Sequence, residues 1–78
     1  MNPFPQIVAL FGDEYRIVTV NLLDHVGLAC KHAGLILQTR DGAFAVLQYL
    51  ADNNVLDIIE TRSNTFLIRV KQHGNKTN

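Results

Sequence analysis

Val55-Leu56-Asp57-Ile58-Ile59-Glu60-Thr61-Arg62 and Thr65-Phe66-Leu67-Ile68-Arg69-Val70-Lys71, separated only by Ser63-Asn64, decide the fold of this chain. Both runs are rich in β-branched and aromatic residues, which suit a pleated, half-buried surface. In the second run Phe66, Ile68 and Val70 alternate with Leu67, Arg69 and Lys71, the period of two that gives a strand one core face and one wet face. Asn64 tolerates the positive φ of a tight turn. The two runs therefore predict a β-hairpin. Beyond Lys71 the polar stretch Gln72 to Asn78 is expected to fray, so the domain is read as residues 1–71 and the tail as 72–78.

Upstream of the hairpin the period changes to that of helices. Ala43, Val46, Leu47 and Leu50 form an apolar stripe, opened by Asp41, whose carboxylate suits the free N–H groups of a helix start. Asn53-Asn54 ends it. Leu22, Leu23, Val26, Ala29, Cys30 and Ala33 form a second stripe, with Asn21 as the expected N-cap and Gly34 as a left-handed cap after it. Leu35-Ile36-Leu37 lies between the two, too short for periodicity to assign. At the start, Asn2-Pro3 reads as an N-cap followed by the first helical position. Phe4, Ile7, Val8, Leu10 and Phe11 follow at roughly helical spacing up to Gly12. Tyr15 to Val20 reads as a strand, with continuation of the first helix through Asp13 and Glu14 as the competing reading.

The class is thus α+β, in the order α-β-α-α-β-β. With 78 residues there is one core, and a chain this short buries only about 60% of its unfolded surface. Cys30 is the single cysteine, so no internal disulfide supports that core, and a lone thiol suits a reducing compartment. No apolar run is long enough to span a membrane, and the apolar stretch 7–11 is too short for a signal peptide. The expectation is a cytoplasmic domain. At 47% hydrophobic residues, apolar surface is left over, and a homodimer through Leu35-Ile36-Leu37 and the arm 1–4 is the expected use of it.

The order of elements resembles the winged-helix branch of helix-turn-helix proteins, from Phe4 to Lys71. The likeness is greatest from Ala45 to Ile59, where a helix ends in a polar break and feeds the first strand of the hairpin. Two features depart from the pattern: the segment from Gly34 to Arg40 is longer than the usual tight turn, and no Lys or Arg falls between Asp41 and Asn54. The resemblance implies a small DNA-binding regulator, with the third helix in the major groove and the hairpin tip on a neighbouring groove or the phosphates.

Particular residues can be set beside that implication. The outward face of the third helix would hold Ala45, Gln48, Tyr49 and Asp52. Gln48 can pair with adenine and Tyr49 can donate to a phosphate. Thr39 and Arg40 precede the helix where a phosphate would meet it. Arg62, Ser63, Asn64 and Thr65 supply a cation and three small polar side chains at the tip, and Arg69 and Lys71 add charge along the wing.

Net charge is zero, but residues 1–60 carry −4 and residues 61–78 carry +4. A basic end on an acidic body orients a molecule in the field of a polyanion. Asp41 and Asp52 oppose this, because they would repel phosphates beside Gln48. Contacts through Arg40, Arg62, Arg69 and Lys71 neutralise at most ~4 phosphates per protomer, so duplex binding calls for a dimer. The alternative is a protein–protein interaction module, inhibitor or adaptor, that does not bind DNA.

Chemistry is harder to find. His25, Cys30 and His32 fall within eight residues. On one helix, however, His25 and His32 stand about 10 Å apart along the axis, too far for one ion. Gly12, Gly27, Gly34 and Gly42 are isolated turns and caps, not a phosphate loop. No metal, no cofactor and no catalysis are expected.

Overall fold

A computed structural model describes residues 2–72. Its elements are α1 (Phe4–Val8), β1 (Arg16–Ile17), α2 (Val20–His32), α3 (Arg40–Asp52), β2 (Leu56–Glu60) and β3 (Phe66–Val70). The α+β class and the order expected from the sequence are those found, with a sheet of order β1-β3-β2 and antiparallel throughout. The expected fraying of 73–78 lies outside the described residues.

The hairpin closes through Thr61 and Thr65. Thr61 N–H donates to the Thr65 carbonyl (2.8 Å), and Asn64 N–H donates to the Thr61 carbonyl (3.2 Å). Asn64 takes φ 61°, so the loop is a turn followed by one left-handed residue, the usual three-residue hairpin connection. Below it the strands run in unbroken register from Glu60↔Phe66 to Leu56↔Val70. Asn54 performs the same service where α3 hands over to β2, at φ 64°.

Several boundaries differ from the sequence reading. Both long helices are capped by threonine: Thr19 Oγ1 accepts from Leu22 N–H (3.1 Å) and Thr39 Oγ1 from Gly42 N–H (3.3 Å). The caps expected at Asn21 and Asp41 therefore fall inside helices, each two residues past the true cap. The strand expected over Tyr15–Val20 shrinks to Arg16–Ile17, because Val20 already belongs to α2 and only this short piece meets β3. α1 stops at Val8 rather than reaching Phe11, and Asn2 Oδ1 accepts from Phe4 N–H (3.0 Å) at its start. Gly34 does take the left-handed conformation expected of it, at φ 88°.

The core draws on every element except β1. α1 and the turn after it contribute Ile7 and Phe11; α2 contributes Leu22, Val26 and Cys30; α3 contributes Ala43, Leu47 and Leu50; the hairpin contributes Leu56 and Ile68. All are apolar, and among the described residues no polar or charged side chain is buried with them. Replacing Leu47 or Ile68 by Ala leaves a cavity at a site with no exposure, a loss of about 2–5 kcal/mol against total stabilities of roughly 5–15 kcal/mol. Leu28→Ala, at a position 49% exposed, should change stability by no more than about 0.5 kcal/mol. Urea denaturation followed by circular dichroism measures both; equal effects at Leu47 and Leu28 would mean that the core is misplaced.

Candidate functional site

With Ala43, Leu47 and Leu50 turned inward, the helical period leaves Asp41, Ala45, Gln48 and Asp52 along the outer side of α3, and all four are exposed. Gln48 is already engaged: its Nε2 donates to Asp52 Oδ1 at 3.1 Å, one helical turn on. Arg40, at the head of α3, forks onto Asp24 of α2, with Nε to Oδ1 at 2.9 Å and Nη2 to Oδ2 at 3.3 Å. That pairing holds the Asp24 carboxyl below its ordinary value, the hydrogen bond from Arg40 being the main cause. Both side chains are more than half exposed, so solvent weakens the pair. The Thr39 hydroxyl is taken by the cap. The outer side of α3 is thus acidic and carries no free cation.

Tyr49 stands at one flank of this face. Its ring lies 5.5 Å from that of Phe4, and the two, with Leu35, Ala45 and Val46, line an apolar groove of about 280 Å³. Tyr49 remains 53% exposed and Leu35 47%, while Ile36, next along the chain, is 71% exposed. On the opposite flank Phe44 packs on Phe66, ring centres 4.8 Å apart. There a second groove of about 460 Å³ opens between Val18, Leu23, Asp41, Phe44 and Phe66.

The sheet turns its other face outward, and its register arranges the side chains there in rows. Ile17, Leu67 and Ile59 are direct neighbours across β1, β3 and β2. Two pairs along, on the same face, Arg69 faces Asp57 and both meet Tyr15, forming a clasp. The Tyr15 hydroxyl donates to Asp57 Oδ2 at 2.5 Å, Arg69 Nε reaches the same oxygen at 3.4 Å, and the guanidinium carbon sits 4.4 Å over the tyrosine ring. The hydrogen bond from Tyr15 is the first cause of a lowered Asp57 carboxyl, helped by Arg69 and, more weakly, by Lys71. The same bond raises Tyr15 above its ordinary value, since ionising the phenol would lose it.

At the hairpin tip the Thr61, Ser63 and Thr65 hydroxyls bond to one another at 2.8–3.0 Å. Arg62 and Asn64 are exposed beside them. Lys71 Nζ donates to Asn54 Oδ1 at 3.4 Å.

The nine residues singled out from the sequence are therefore spread over the molecule. Thr39, Arg40, Gln48 and Tyr49 lie on α3 or at its head, Arg62, Ser63 and Asn64 at the hairpin tip, and Arg69 and Lys71 on the outer sheet face or its end. Arg69 points away from the side of the sheet that packs on α3. Of the four cations, Arg40 and Arg69 hold carboxylates. Of the groove residues, Phe4 and Leu35 fall in the stretches expected to form a dimer surface and Ala45 on the expected outward face of the third helix, but the sequence did not join them into one groove. Val46, and the clasp partners Tyr15 and Asp57, were not singled out. Phe4 and Val46 read as core stripe. Tyr15 and Asp57 are 42 residues apart, so no local spacing could pair them.

Cys30 is fully buried, and burial pushes its thiol above the ordinary value. Among the described residues no group of three or more His, Cys, Asp or Glu side chains could hold a metal ion, and no helix is long and apolar enough to cross a membrane. Comparison with protein-family models, curated proteins and solved structures finds no match to this chain.

The clasp sets a pH dependence. A lowered Asp57 contributes stability above the unfolded carboxyl value, and that contribution is lost as pH falls through the folded one. A raised Tyr15 contributes below the ordinary phenol value and loses its effect as pH rises through the folded one. Tyr15→Phe should move the Asp57 carboxyl back up toward its ordinary range and flatten the acid side of the stability profile. Carbon-13 titration of the Asp57 carboxyl measures this, and an unmoved midpoint would leave Arg69 as its controlling partner.

Proposed function

We propose that this chain is a protein-docking module of winged-helix type, which receives an apolar segment with flanking cations in the groove between α1 and α3. The observation that carries this reading is the charge of α3. Its outer side presents Asp41 and Asp52 along a ridge between an apolar groove built by Phe4, Leu35, Ala45, Val46 and Tyr49 and the second groove, which Asp41 itself lines. A helix in that position that met phosphates would bring two carboxylates toward them, and its one leading cation, Arg40, is already paired with Asp24. An amphipathic partner segment suits both features: aliphatic or aromatic anchors fill the groove, and Lys or Arg on its rim faces Asp41 and Asp52. Tyr49 fits the role of anchor contact, being large, half exposed and packed beside Phe4.

Duplex DNA is the second reading, favoured by one feature of the hairpin. Arg62 is exposed at the tip, and Lys71 lies exposed at the far end of β3, its Nζ donating to Asn54 Oδ1 at 3.4 Å. In that reading Arg40 exchanges Asp24 for a phosphate, a change that the exposure of the pair permits.

Two titrations separate the readings. A designed Leu/Lys amphipathic peptide should perturb the amide signals of Phe4, Ala45, Val46 and Tyr49. Ala45→Arg or Tyr49→Ala should weaken it at least about tenfold, the effect of ~1.4 kcal/mol, while Arg62→Ala has no effect. Binding to mixed-sequence duplex DNA at about 150 mM salt, with a log–log salt slope that Arg62→Ala and Lys71→Ala each reduce by roughly one, would instead establish the second reading.

A further inference from the structure

We infer that β2 is a self-pairing edge: two copies of this chain join β2 to β2 antiparallel about Ile59, making one continuous six-stranded sheet. The inference goes beyond the docking groove and uses none of its residues. It begins with the backbone. Thr61 N–H bonds to Thr65 and Lys71 N–H bonds to the Val55 carbonyl. In an antiparallel ladder hydrogen-bonded pairs alternate, so between those two bonds Ile59 and Asp57 also face β3. Leu56, Ile58 and Glu60 then turn their N–H and C=O groups to the opposite side, where, among the described residues, the sheet order β1-β3-β2 places no further strand. Water can hydrate such a row of alternating donors and acceptors one group at a time, but an extended strand answers all of it at once.

Edges of this kind are commonly blunted by Pro, Lys, a bulge or an inward charge. β2 has neither Pro nor Lys, and its five pairs with β3 run without a bulge. Of its two acids, Asp57 is tied to Tyr15 and Arg69, and Glu60 stands at the end.

Side chains then select both the partner and the register. The outer row Ile17–Leu67–Ile59 crosses the whole sheet and stops at the β2 edge, where Ile59 is 42% exposed. A two-fold axis at Asp57 would set two carboxylates opposite each other. An axis at Ile58 would set Ile59 against Asp57 of the other copy. An axis at Ile59 sets isoleucine against isoleucine at a non-hydrogen-bonded position, where side chains approach most closely. The apolar row then runs unbroken across both copies. That register pairs Ile58 with Glu60 of the second copy through the free backbone groups. It also brings each cationic hairpin tip, at Arg62, toward the Leu56–Asp57 end of the other strand. A second copy of this chain supplies the apolar row and the complementary strand edge together. An edge contact alone covers less than the roughly 1,600 Å² of a tight complex, so the expected dissociation constant is on the order of 0.1–1 mM.

Oxidative cross-linking of the full chain tests the register. Ile59→Cys should give a disulfide-linked dimer at least about ten times faster than Ile17→Cys at the far end of the row, the native Cys30 staying buried in both; equal rates, or none, would overturn the pairing. Sedimentation across the millimolar range provides the second test, with folding checked by circular dichroism. Wild type should dimerise with concentration, the Ile58 and Glu60 amides becoming slower to exchange, and Ile59→Lys should weaken association at least about tenfold. A wild-type monomer throughout, or a dimer unaffected by Ile59→Lys, would overturn it.

Discussion

β3 is the strand on which the rest of the molecule depends, because it alone is paired on both sides and packed on one face by the helices. Its carbonyls and amides at Phe66, Ile68 and Val70 serve β1 and the turn at Gly12, and those at Leu67 and Arg69 serve β2. Ile68, with no exposure, lies in the same core as Leu47 of α3 and Val26 of α2. A single residue of slip along this strand would exchange Ile68 for Leu67 or Arg69 in the core. It would also separate Arg69 from Asp57. The register that buries the core is thus the one that assembles the clasp and the outer apolar row.

This dependence explains which features were legible in the sequence. The hairpin was readable because its two signals are local: a period of two, and an asparagine where positive φ is needed. The apolar stripes of α2 and α3 were readable for the same reason. Helix starts were not. Asn21 and Asp41 are good caps by type, but Thr19 and Thr39 hold the position, each extended in backbone with its hydroxyl on the third amide. Capping is settled by where the chain leaves its previous partner. Val18 N–H still bonds to Phe66, and the helix begins as soon as that pairing ends. Thus Val18 and Val20, alike in propensity, fall on opposite sides of a boundary fixed by β3.

Charge was the least legible property. The sequence displays a basic end on an acidic body, and that asymmetry favours a polyanion. The fold redistributes it. Arg40 finds Asp24 sixteen residues away and Arg69 finds Asp57 twelve residues away, so two of the four cations that suggested phosphate contacts are spoken for. The Arg69 clasp is the firmer of the two, both side chains being 30% exposed against more than half for Arg40 and Asp24. Partial burial strengthens an ion pair, and the ring of Tyr15 beneath the guanidinium adds a cation–π contact. Arg69 belongs to the scaffold, whereas Arg40 retains the freedom to change partners.

The remaining apolar surface is divided in a way that composition could not foretell. Isolated exposed side chains such as Leu28 are ordinary on any small protein. The groove beside α3 and the row on the sheet differ because each is contiguous and each borders a second kind of recognition. Beside the groove that feature is acidic charge; beside the row it is unpaired backbone. The two lie on different elements and answer different chemistry, so occupation of one leaves the other open. Enlarging the sheet through β2 would also work on the strand next to β3, so the core and the edge share one ladder. Any partner that orders β2 would then hold Leu56 and Ile68 more firmly in place, and a core of ten buried hydrophobic side chains among the described residues has much to gain from such an addition.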